Sequence, residues 1–223
     1  TTYQNCSTNK SEFVVVAGSA PCEFVVTPSC DTEGAGSAGI PMAPVTLNPG
    51  EVYMVQAANG AYDLTGTMVE ATNGTDQFAV FNGHEFAQVG VCGGSTKDPL
   101  YDQAFPLSSW GTEYIITKTE GQNINSYRAV ASEDGTNVYE DGTLLGTIDA
   151  GEFIDVDFDD EVLMITADNP FCVTQSMQNA SCSGNNAADP AMVVLNSNEQ
   201  MFLDTATFFA VEYNGLDTNY LNV

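Results

Sequence analysis

Between Ser126 and Met177 apolar and β-branched residues come in short runs separated by turn-forming dipeptides. Tyr127 to Ala131 is broken by Glu133-Asp134-Gly135. Thr136 to Tyr139 follows and is broken by Asp141-Gly142. Leu144 to Ile148, Phe153 to Phe158 and Val162 to Ala167 come next, and Asn169-Pro170 closes the last before Phe171 to Gln175. Runs of this length with no helical period predict strands, and a carboxylate followed by glycine suits a tight hairpin because glycine accepts positive φ.

The same pattern occurs earlier in the chain. PVTLNPGEVYMVQ (Pro44 to Gln56) matches LGTIDAGEFIDVD (Leu145 to Asp157), and LTGTMVEATN before FAVFNG matches EVLMITADN before FCVTQS. Upstream, SEFVVVAG resembles TEYIITKT, and TFFAVEYNG followed by NYLNV reads as an incomplete third copy. A repeat of roughly 100 residues is too long for a solenoid and predicts a duplicated β-unit. The expected fold is all-β: two duplicated β-sandwich-like lobes with disulfides, residues 1–90 forming the first and 91–223 the connection and the second. A propeller-like radial arrangement is the alternative. FVVVA, near the start, reads as an edge strand able to join another subunit's sheet.

Thirty acidic residues against four basic ones leave a formal charge of −26, which excludes a nucleic-acid partner and disfavours anionic membranes. No apolar run reaches the ~18 residues of a membrane span, so membrane insertion is not expected. The polar start reads as a mature terminus after signal removal.

Nine acidic side chains and no basic one fall between Glu140 and Glu161. Asp155, Asp157 and Asp159 alternate, which puts their carboxylates on one strand face. The bland reading is a solvated acidic face. The sharper one is a calcium site of Asp157, Asp159, Asp160 and Glu161, although the spacing fits no EF-hand.

Cys6, Cys22, Cys30, Cys92, Cys172 and Cys182 lack zinc-ribbon spacing, and one histidine is too few to assist them. An even count of this kind points to disulfides and an oxidising, extracellular compartment, with Cys22–Cys30 and Cys172–Cys182 as plausible local staples. Sequons stand at Asn5, Asn73 and Asn179, of which the last two are the better glycosylation candidates. Trp110 reads either as a carbohydrate-stacking platform or as a buried anchor, and the anchor is preferred. His84 has no catalytic partner in the sequence.

The run from Asp98 to Gly111 followed by EYIIT resembles a segment of the IgGFc-binding domain family. DLTGTMVEATN, FAVFNGH, YRAVASEDGTNV, AGEF, ADNPFCVTQ and DPAMVVLNSNEQ follow that family's order over residues 45 to 223. The N-terminal third shows less, and LNSNEQ lacks the proline more usual before Glu-Gln. The resemblance implies a binding or adhesive module of secreted and surface proteins, with no catalytic residues to carry over. The expected function is therefore a secreted, non-enzymatic adhesive or structural module, assembling with itself into a matrix or filament by strand addition. The alternative is a monomeric domain that binds an extracellular glycan or protein.

Overall fold

The computed structural model describes residues 9–34, 36–90, 96–184, 188–201, 204, 205 and 207. Asn5, Cys6, Cys92 and nearly all of the incomplete third copy lie outside the described residues.

Among the described residues seven strands build the first lobe: β1 (Ser11–Ala17), β2 (Cys22–Thr27), β3 (Val45–Leu47), β4 (Val52–Gln56), β5 (Met68–Ala71), β6 (Phe78–Ala87) and β7 (Asp98–Gln103). They form a four-stranded sheet, β4-β1-β6-β7, and a three-stranded sheet, β3-β2-β5. Phe13, Val15, Ala17, Phe24, Val26 and Val55 are buried together between them. β1 is central and antiparallel to both neighbours, so the edge-strand expectation is corrected. Its run is apolar at every position because both faces of the strand carry apolar residues.

The second lobe comprises β8 (Gly111–Thr117), β9 (Asn125–Ala131), β10 (Thr136–Glu140), β11 (Thr143–Ile148), β12 (Phe153–Phe158), β13 (Val162–Met177), the short helix α1 (Ala180–Ser183) and β14 (Ala191–Val194). Its strands pair in the first lobe's pattern. β9 lies between β12 and β13 as β1 lies between β4 and β6, and β10 joins β11 to β13 as β2 joins β3 to β5. Registers agree residue by residue: Val15 faces Tyr53 and Val80, and Ala129 faces Ile154 and Val173. Cys22 faces Leu47 and Thr136 faces Ile148. By pairing, then, β9 is the counterpart of β1. TEYIITKT, matched above to SEFVVVAG, is instead an added strand, β8, on the far side of β13.

The break expected at Asn169-Pro170 is absent. β13 runs through it for 16 residues and joins what the first lobe keeps as β5 and β6. The link from Ala71 to Phe78 is three residues longer than that from Ala167 to Phe171, and the extra residues form the Asn73 turn that separates the first lobe's sheets. Pro170 is tolerated because it lies where pairing with β8 shifts register, between Thr166 and Phe171. Among the described residues the second lobe consequently has a single seven-stranded sheet around Tyr114, Tyr127, Ile165 and Phe171.

Cys22, Cys30 and Cys172 are free thiols, so neither local staple forms. Cys22 starts β2 and Cys30 lies beyond its end, and Cys172 is mid-strand while Cys182 lies in α1, so extended strand holds each pair apart. Cys182 is disulfide-bonded.

Candidate binding face and the junction between lobes

The duplication lets one face be compared in two settings. On the first lobe the outward row of β4-β1-β6 is Met54, Val14 and Phe81 in register, and the next is Val52, Val16 and Ala79. Tyr101 of β7 extends it beside Gly83. This face is apolar and open: Val52 is 60% exposed, Met54 49% and Phe81 38%. The corresponding rows of the second lobe are Asp155, Arg128 and Thr174, then Phe153, Val130 and Cys172. There the charged residues lie at the centre, and Arg128 is only 8% exposed.

The first lobe provides the cover. Its β4–β5 connection runs from Ala57 to Thr67, whereas the β12–β13 connection is only Asp159 to Glu161. Asp63, on the longer loop, accepts through Oδ1 from the Thr65 backbone N–H (2.9 Å) and hydroxyl (2.7 Å), which leaves Oδ2 for Arg128 Nη1 at 2.6 Å. Nη1 also donates to Thr65 Oγ1 at 2.6 Å. Arg128 Nε and Nη2 hold Asp155 in a two-pronged pair at 2.7 and 2.9 Å, and the guanidinium stacks 3.9 Å over the Phe153 ring. Burial opposes ionisation of Asp63, yet the Arg128 charge and the Thr65 hydrogen bonds hold its carboxyl below the usual range. A cleft of about 660 Å³ opens on this seam, lined in part by Ser29, Asp63, Thr65, Met68 and Phe153. The polar groups just described are committed to one another, so they work as a clasp between the lobes.

Asn179 fixes the segment that trails β6, its backbone N–H and its side-chain amide both donating to Val89 O at 3.0 and 2.7 Å. Its Oδ1 accepts from Ser181 N–H and caps α1. Asn179 is fully buried, so the folded chain has no room for a glycan there and that glycosylation expectation is corrected. Asn73 is exposed and orders its own turn by accepting from the N–H groups of Thr75 and Asp76.

The other predicted site residues are dispersed. Asp157 accepts from Ser126 Oγ at 2.7 Å, and Glu161 pairs with Lys118 at 2.7 Å. Among the described residues no three Asp, Glu, His or Cys side chains converge as metal ligands. Trp110 is half-buried, with its indole N–H donating to Phe105 O at 3.2 Å. His84 Nδ1 accepts from Phe86 N–H, and burial holds its pKa below the usual value. Burial pushes the Cys172 thiol up to about 12, so it is inert.

Sequence reasoning missed both the clasp and the open face. A usable signal was present: FVVV and VYMV are apolar at consecutive positions, whereas their counterparts YRAV and FIDV place Arg128 and Asp155 on one face.

A polar rim borders the open face. Gln56 Nε2 donates to Glu12 at 2.6 Å and to Glu85 at 2.8 Å. Burial raises the Glu12 pKa, the Gln56 hydrogen bond lowers it, and the Glu85 charge raises it further, for a net rise. The folded state thus holds this proton more tightly than the unfolded chain, and stability is lost as pH rises through the folded value. Glu12→Gln keeps the Gln56 bond and is expected to raise Tm at pH 7. The gain should vanish near pH 4 and below, where the carboxyl is protonated in both states. Thermal melts of both proteins across pH 3.5–8 provide the check.

The family profile described as IgGFc binding protein matches residues 1–223, and so includes the N-terminal third where the sequence alone showed less. The human protein named IgGFc-binding protein is 30% identical over 152 residues, 66% of this chain, and the chain spans only 3% of that protein's length. The profile match covers both lobes, clasp included, and the chain therefore belongs to the IgGFc-binding family.

Proposed function

We propose that this chain is a non-enzymatic protein-binding module of a secreted or cell-surface protein, and that the outer face of β4-β1-β6-β7 is its contact surface. One observation carries the reading: Val52, Met54, Phe81 and Tyr101 stay exposed on the first lobe, while the matching face of the second lobe is charged and covered. Open apolar faces of this kind mark interaction sites. Family membership supports the same reading, and the human relative's name states that it binds the Fc region of IgG. That name makes Fc one probe among several.

Assembly with a second copy is the structural form of this reading. With a formal charge of −26, two copies repel each other, so self-association through the apolar face should strengthen as salt screens that repulsion. Calcium enters only as a bridge between acidic surfaces and is not needed by the contact face.

The test uses the intact chain on a biosensor against Fc fragment, a heavily glycosylated protein and the chain itself, with sedimentation velocity at low and high salt, with calcium and with chelator. Saturable binding to at least one of them is expected. Met54→Lys with Phe81→Lys should weaken it at least tenfold, with little change in Tm because both sites are solvent-facing. Binding that survives this double substitution would refute the face, and a monomer that captures none of the probes would refute the module.

A further inference from the structure

We propose that the outer edge of β5 is a strand-acceptor site for an extended segment of another polypeptide, one with apolar side chains at alternate positions preceded by a basic residue. The proposal rests on the protein-binding reading above and names a second, separate contact.

The second lobe supplies the template. Its Val162–Thr166 stretch pairs with β8 on one side, and Ile165–Ala167 pair with β10 on the other. The matching strand of the first lobe, β5, is bonded to β2 on one side, and among the described residues no strand lies on the other.

The hydrogen-bonding phase of the two strands also agrees. Thr72 N–H donates to Glu23 O at 3.0 Å, so Glu70 and Met68, two and four residues back, turn their backbone groups toward β2. By alternation Val69 and Ala71 turn theirs to the open side. The Ala71 carbonyl is taken by Gly74 N–H, which leaves Val69 N–H, Val69 C=O and Ala71 N–H facing outward. In the second lobe Lys118 N–H donates to Glu161 O at 3.0 Å, which makes Leu163 and Ile165 the residues bonded to β8, opposite Ile116 and Tyr114. Val69 therefore stands in the phase of Ile165, the acceptor of a real strand.

The occupant's chemistry can be read from the same register. Tyr114 and Ile116 of β8 are buried and Ile115 between them is exposed, so an incoming strand needs apolar side chains at two alternate positions. The next position, Glu113, faces Thr166, and its counterpart on β5 is Glu70. Against Glu70 a cross-strand acid repels and a lysine or arginine attracts. The site therefore selects a basic residue, then apolar, any and apolar, and it discriminates against the chain's own β8 sequence.

The experiment is fluorescence polarisation of the intact chain with a labelled peptide GTKYIITK, which is Gly111–Lys118 carrying Glu113→Lys. Saturable binding is expected, several-fold tighter than for the unsubstituted peptide. N-methylation of the Tyr114 amide, which removes a bond to Val69, should reduce it at least tenfold, whereas N-methylation of the Ile115 amide should leave it in place. These peptide controls leave the protein unaltered. Val69→Pro, which removes an outward N–H, should reproduce the loss. Absence of saturable binding, or equal binding of the two methylated peptides, overturns the proposal. If the peptide fails while a protein partner still binds the outer face, the edge alone falls; if both fail, the module reading falls with it.

Discussion

Replacing Arg128 with alanine should lower stability by roughly 3 kcal/mol, the cost expected when one partner of a buried ion pair is removed and the other is left without its charge. Here two carboxylates lose their partner, Asp155 at 2.7 Å and Asp63 at 2.6 Å. Asp63 keeps some solvent contact, which places the estimate at the lower end of the range for such pairs. The chain's own first lobe shows how the site could be rebuilt, since Val14 and Met54 occupy the positions of Arg128 and Asp155. Arg128→Val with Asp155→Met, combined with Asp63→Asn, should recover much of the loss, because apolar replacements of buried ion pairs are often neutral or better. Urea unfolding of the single, double and triple variants provides the measurement. The pH dependence gives a second check. The Asp63 pKa is held below its ordinary value, so the clasp stabilises above the unfolded carboxylate range and fails as pH falls through the folded value. Arg128→Ala should flatten that acid-side loss. A triple variant no more stable than Arg128→Ala would show that packing at the seam, and not the uncompensated charge, sets the cost.

The sequence made strands and turns legible because both are local. Asp141-Gly142 is the two-residue hairpin expected, with Glu140 facing Thr143 across it and φ of 46° and 79° in the two turn residues. The Gly-Glu correspondence between copies is also real in three dimensions. Asn48 N–H donates to Glu51 Oε2 and Asp149 N–H to Glu152 Oε2, and Gly50 and Gly151 both have φ of 79°. Partner choice in a sheet is not local. TEYIITKT resembles SEFVVVAG because both are half-buried strands, yet one lies beside β13 and the other is central in its own sheet. Nor could the pattern show that the loss of a three-residue turn fuses two strands into β13. The candidate site was least legible. A row of Asp155, Arg128 and Thr174 looks like a solvated face until another lobe's loop is found to cover it. In the acidic run, alternation along one strand aligns carboxylates on a face without by itself making them converge on a point.

Gly66→Ala should be the most damaging single methyl that can be added at the seam, and the chain contains its own controls. Gly66 has φ of 85°, a conformation that costs an L-residue about 1–2 kcal/mol, and a Cβ there would lie 2.1 Å from the carbonyl oxygen of Gly151. The obstacle is backbone held in a turn of the other lobe, so it cannot rotate away as a side chain would. Gly50 has φ of 79° and open space around its Cβ, so Gly50→Ala bears the conformational cost alone. Gly151→Ala stands between them, with φ of 79° and the Gly66 oxygen at 3.1 Å. The expected order of destabilisation is therefore Gly66 above Gly151 above Gly50, with Gly50→Ala near 1 kcal/mol and Gly66→Ala at least about 3 kcal/mol once lobe contact is lost. Relief of the clash must part the loop from the face it covers, so Gly66→Ala should also disengage Asp63 and Thr65 from Arg128. Combined with Arg128→Ala it should then cost clearly less than the sum of the two, the non-additivity of groups that share one contact. Equal losses for the Gly50 and Gly66 variants, or strict additivity with Arg128→Ala, would mean that the loop can part from the second lobe without cost and that the clasp does not hold the lobes together.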